Sequence, residues 1–216
     1  METLPKVKTQ RLDVIRQPEV KSVIEQAEPW LACMIALAII FGKRISEIIR
    51  LKRNEVYWDD THLYVRFLVG KRRKQKGALP EYFLKRITLQ HELTKYVLDY
   101  VSTIKDGFIF SFDRAEQKIH LTIKEMDGRI YEPALEYDYV VPRGFMSRQL
   151  AYYYLKKIAP DWWWHLCRET LATRMAEKGA SEEDLMHWFD WETPTSPHKY
   201  VKRGTKLTEK YSERTW

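Results

Sequence analysis

The sequence lacks most of what would place it outside an ordinary globular fold. It has two cysteines, Cys33 and Cys167, set in separate stretches with no paired spacing. That excludes a disulfide scaffold and a cysteine zinc module, and reads as two reduced core thiols. No apolar run reaches the roughly 18 residues that a membrane span needs. The stretch "WLACMIALAIIFG" (30–42) is too short, and it lies too far from the N-terminus to be a signal peptide. No membrane partner is expected, and the protein is expected to be intracellular. Internal repeats, low-complexity tracts and domain linkers are missing. His, Asp and Glu nowhere cluster with ligand spacing, so neither metal nor cofactor is expected.

What the chain does have is positive charge. Over 216 residues, 37 Lys and Arg face 30 Asp and Glu, a net +7. Neutralising a phosphate backbone releases counterions, so such a balance suits nucleic acid. The distribution is more telling than the sum. Residues 71–76 read "KRRKQK" and 199–206 read "KYVKRGTK".

Periodicity predicts one mainly α domain with a small antiparallel β-sheet near its middle. A short helix is expected over "QPEVKSVIEQAEP", then a central helix over "WLACMIALAIIFG" stopped by Gly42. "RISEIIRLKRNEV" predicts an amphipathic helix with Ile45, Ile48, Ile49 and Val56 toward the core. "HLYVRFLV" and "FLKRITL" read as strands around the basic loop. A helix is expected over 91–103, a hairpin turning at Asp127-Gly128, and helices from Phe145 onward, broken at Pro160, Gly179, Pro194 and Pro197. The domain is expected to fill 1–216, with 113–142 as an inserted hairpin and 201–216 as a tail. The triple tryptophan at 162–164 reads as core or interface.

Three stretches carry chemistry. "FGKRISEIIRLK" resembles the first box of the tyrosine recombinase (phage integrase) family, T-G-L-R-x-S-E-L. "HLCRETLATRMAEKGAS" is similar to the second, H-x-L-R-H-T-F-A-T. "HWFDWETPTSPHKYV" resembles the segment L-G-H-S-x-x-x-T-T-x-x-Y. The three stand in the family's order. The resemblance implies catalytic roles for Arg44, His165, Arg168, Trp191 and, nine residues after Trp191, the nucleophile Tyr200. "VGKRRKQK" resembles the hairpin turn that carries the family's lysine general acid. It points to Lys71, with Lys74 and Lys76 as rivals. Four positions depart from the motifs: Lys43, Cys167, Glu169 and Asp190.

The residue types suit the reaction. Two guanidiniums can clamp the non-bridging oxygens of a phosphodiester and stay charged at working pH. His165 and Arg168, at i and i+3, would share a helix face. A buried Arg168 needs an anionic partner, and Lys199 and Lys202 would favour phenolate character at Tyr200. Trp191 could order the pocket and donate its N–H, or be plain core. Lys43, Arg72, Arg73, Lys74, Lys76, Lys199, Lys202 and Arg203 are the candidate DNA contacts.

The resemblance implies cleavage and religation of double-stranded DNA through a 3′-phosphotyrosyl intermediate, with Holliday-junction exchange in a homotetramer on synapsed sites and a monomer in free solution. Integrases of mobile elements fit better than chromosome-dimer resolvases. Two alternatives stay open: a type IB topoisomerase-like relaxing enzyme, and a DNA-binding architectural protein without catalysis.

Overall fold

The computed structural model describes residues 14–68, 81–111 and 144–201. Helix α2 (Pro29–Phe41) is the centre of the fold, and Leu31 through Phe41 are all buried. A helix apolar on every side must be enclosed. Helices α1 (Gln17–Gln26), α4 (Thr94–Val101) and α6 (Trp164–Glu177) pack around it. Proline in its first turn starts α2, and Gly42 ends it at φ +59°. A Cβ on Gly42 would lie 2.3 Å from the Phe189 ring, so glycine is demanded there by space as well as by conformation.

Past Gly42 the chain enters a four-residue helix, α3 (Ile45–Ile48), not the long helix expected from the apolar spacing. Long-range hydrogen bonding wins over local propensity. Ile109 N–H donates to Leu51 O and Arg53 N–H to Gly107 O, each at 2.9 Å, which draws the chain out of helical register. A 3₁₀ turn (Arg53–Glu55) follows, and Val56 opens a strand that the sequence pattern does not signal.

The sheet has three antiparallel strands in the order β1 (Val56–Trp58), β2 (His62–Leu68), β3 (Tyr82–Thr88). The pairing of β2 with β3 runs from His62↔Thr88 to Leu68↔Tyr82, and the basic segment 71–76 lies outside the described residues. Leu63, Val65 and Phe67 point into the core, as the alternation predicts.

The C-terminal helices are α5 (Arg148–Ile158), α6 and α7 (Glu182–Phe189), followed by a helical stretch over 195–201. Ser147 and Ser181 cap α5 and α7. Trp162 and Trp164 are buried, which assigns the tryptophan triplet to the core. Among the described residues no helix is long and apolar enough to cross a membrane. The expected hairpin at 113–142 and almost all of the tail lie outside the described residues.

Candidate functional site

Three chain turns meet where α2 ends. Arg44 is the residue that opens α3, and Glu47, three residues on, fastens it twice. One carboxylate oxygen accepts the Arg44 backbone N–H at 2.9 Å, and the other accepts Nη1–H at 3.0 Å. The Glu47 side chain is 8% exposed, so the guanidinium is held on a rigid element with part of its surface still free.

Arg168 lies in the middle of α6 and is 1% exposed. Its Nη1–H donates to Gly42 O and its Nη2–H to Phe189 O, both at 2.6 Å. Its guanidinium also lies over the rings of Phe189 (4.8 Å) and Trp191 (5.2 Å). The expected anionic partner is therefore replaced by two backbone carbonyls and two ring faces. Both carbonyls belong to helix ends, where oxygens lack intrahelical donors. Arg168 Nε has no partner and is an uncommitted buried donor. Burial lowers the Arg168 pKa to about 10, and Arg44 pushes the same way.

Tyr200, on the stretch 195–201, is 1% exposed. Its ring stacks on Trp191 at 5.6 Å and 3° between planes, and Trp191 stacks on Phe189 at 4.8 Å. Lys199 sits over the Tyr200 ring at 4.7 Å and 3.9 Å from Glu169. The expected phenolate character is not what this packing produces. Burial raises the phenol above its ordinary range, outweighing the hydrogen bond and charge of Lys199 and the charge of Arg168. His165 reaches solvent at the start of α6 rather than sharing the burial of Arg168. Loss of hydration holds its imidazole below the ordinary range, opposed by Glu169 and joined by Arg168, Lys199 and Arg44.

Lys43 corrects a second expectation. Expected as a DNA contact, it is 2% exposed, with its ammonium engaged inside the fold. Its ammonium donates to the Asp190 carboxylate in a buried pair. Asp190 caps α7 in the left-handed region at φ 55°, a conformation that Asp tolerates better than most residues. Two departures from the motifs thus meet as one ion pair. Lys85 of β3 lies 3.5 Å from the same carboxylate and donates to His187 O at 2.9 Å. Glu47 and Lys85 are site residues beyond those the motifs single out. The signal for Lys85 was available: it is a lysine at the inward parity of a strand.

A cleft of about 220 Å³ opens beside these groups, lined by Lys43, Arg44, Glu47, Asp190, Trp191 and Ser196 among others. Arg44, Arg168, Trp191 and Tyr200 are thus gathered in one neighbourhood, with His165 and Lys199 at its edge. Lys71, Arg72, Arg73, Lys74, Lys76, Lys202 and Arg203 lie outside the described residues.

The fold matches that of known recombinases at low sequence identity. XerA recombinase aligns with a TM-score of 0.60 and 15% identity over 99% of this chain and 68% of its own. XerH site-specific recombinase, bound to its difH substrate before cleavage, gives 0.56 and 11% over 87% of this chain and 49% of its own. The Tn1549 transposon integrase with transposon right-end DNA gives 0.55 and 13% over 93% and 67%. The chain thus spans about half the length of the XerH protein. No curated protein sequence matches it. The phage integrase family model matches residues 13–206, and the chain belongs to that family.

Proposed function

We propose that the chain is the catalytic domain of a site-specific DNA recombinase of the integrase type, acting on duplex DNA through a 3′-phosphotyrosyl intermediate. The observation that carries this reading is the continuous stack Arg168–Trp191–Tyr200 beside a cleft that also holds Arg44. A plain DNA-binding module has no use for a tyrosine stacked on the ring that covers a buried arginine.

In the proposed reaction the Tyr200 hydroxyl oxygen attacks the scissile phosphorus, and the bond to the 5′-oxygen breaks. Arg44 and, through its uncommitted Nε–H, Arg168 hold the non-bridging oxygens and stabilise the charge that builds on them. The phenolic proton passes to the neutral His165 or to water, and Lys71 protonates the departing 5′-oxygen. The ester keeps the bond energy, so attack by a 5′-hydroxyl reverses the step and rejoins the strand. Because Tyr200 is buried, the stretch 195–201 must shift before attack, and DNA in the cleft supplies the partner charge that draws it out. Strand exchange would pair two sites in a homotetramer through a Holliday junction, assembled from monomers. One catalytic domain over 1–216, with 113–142 inserted, belongs to the same proposal, as does an intracellular setting.

Two measurements test it. DNA affinity is expected to fall steeply and linearly on a log–log plot against salt, because many cations meet phosphates. A flat plot removes nucleic acid as partner. The second test addresses the general acid. Lys71→Ala is expected to lose cleavage on ordinary DNA and regain it on a strand whose bridging 5′-oxygen is sulfur, a leaving group that needs no proton. Rescue of Lys74→Ala or Lys76→Ala instead would move the role along the loop.

A further inference from the structure

Asp190 holds an unusual place for a carboxylate. Its side chain is 12% exposed, and it stands between two ammoniums that are more deeply buried, Lys43 at 1% and Lys85 at 7%. Around this trio the walls are aromatic. Lys43 Nζ lies 5.4 Å from the Phe67 ring centroid and 5.3 Å from that of Phe83. Lys85 Nζ lies 5.8 Å from Phe83 and 5.4 Å from Trp188. Ring faces attract cations, but they compensate a desolvated ammonium only in part. The carboxylate of Asp190 is the countercharge that both lysines share.

The chain positions matter as much as the charges. Lys43 directly precedes Arg44, and Asp190 directly precedes Trp191. Lys85 lies on β3, which pairs with β2 from His62↔Thr88 to Leu68↔Tyr82. One carboxylate therefore ties together the turn bearing Arg44, the turn bearing Trp191, and the hairpin. Arg168 repeats part of the tie from below, since it bonds Gly42 and Phe189, the residues just before Lys43 and Asp190.

We infer that Asp190 is a positioning residue, whose carboxylate, shared by Lys43 and Lys85, sets Arg44 and Trp191 at their working separation across the cleft. Its functional half rests on the cleavage reading above. A displacement of about 1 Å in such a group costs on the order of 10²-fold in rate, which is the scale expected when the tie is cut.

The test compares four proteins: wild type, Asp190→Asn, Lys43→Met, and the double variant. Asn accepts the left-handed backbone as Asp does, so only the charge is lost. Asp190→Asn is expected to cleave a nicked duplex about 10²-fold more slowly under single-turnover conditions, with DNA affinity within about threefold of wild type. Lys43→Met is expected to slow cleavage to a similar extent, and the double variant to be no more than about threefold slower than either single variant, because each change cuts the same tie. Hydrogen exchange in Asp190→Asn is expected to rise in peptides covering 42–48 and 186–193 and not in α4 or α5. Wild-type cleavage by a destabilised Asp190→Asn would reduce the trio to a stability feature and overturn the inference. So would losses that multiply in the double variant, which would mean that Lys43 and Asp190 act independently. If Asp190→Asn does not fold, folding of the double variant supports the tie and its failure refutes it. If wild type makes no adduct, the cleavage reading falls by itself, and the exchange pattern still decides whether Asp190 holds the two turns.

Discussion

Tyr200→Phe is expected to abolish the covalent protein–DNA adduct while leaving fold and DNA affinity close to those of wild type. The ring is what packs: it stacks on Trp191, under Lys199, and belongs to the small core with Ala172, Ala176, Leu185 and Phe189. Phenylalanine keeps every one of those contacts. The lost hydroxyl removes one hydrogen bond, worth about 1 kcal/mol net. Chemistry has no such substitute, because no other atom of that ring can attack phosphorus. Thermal melting and a salt-matched binding curve check the first half, and denaturing gels of the DNA complex check the second. Tyr211, eleven residues further along the chain, is the rival nucleophile by residue type, but its distance from Trp191 does not fit the family's segment, and Tyr211→Phe is expected to keep the adduct.

The second large effect separates the two arginines. Arg44→Ala and Arg168→Ala are each expected to lose on the order of 10²- to 10³-fold in cleavage, the scale for removing a donor from developing oxyanion charge. Their stabilities should diverge. Arg44 is partly exposed, and Glu47 keeps its bond from the Arg44 backbone N–H, so its loss costs about 1–2 kcal/mol. Arg168 is buried and satisfies the carbonyls of Gly42 and Phe189, which belong to segments 126 and 21 positions away from it. Truncating it leaves both oxygens unpaired beside a cavity, for about 3–5 kcal/mol. Denaturant melts beside single-turnover rates read both quantities. If DNA binding fell in parallel with cleavage, the arginines would be affinity residues and the clamp would be wrong.

The divergence between those arginines was not legible in the sequence, and the reason is general to this site. The motif spacing pointed to Arg44, Arg168, Trp191 and Tyr200, and the apolar run of α2 announced the central helix. Local patterns also gave β2, β3 and the stop at Gly42. What local patterns cannot carry is the partner of a side chain. Lys43 reads as one more basic residue beside Arg44, yet its carboxylate is 147 positions away. Arg168 invites a search for an acid, whereas the fold offers it the carbonyls of two helix ends. Strand β1 is three residues long and exists because β2 pairs with it, so no alternation could announce it. The pKa of Tyr200 failed for the same reason. Neighbouring lysines argued for ionisation, but burial is a property of the whole packing and dominates.

The reading stands or falls on which atom takes the DNA. A nicked suicide duplex carrying a candidate site, incubated with the wild-type chain and then digested by protease, leaves the nucleotide attached to one peptide. Tandem mass spectrometry of that peptide is expected to place the nucleotide on Tyr200. A nucleotide on Tyr211, or an adduct that survives in Tyr200→Phe, would contradict the account.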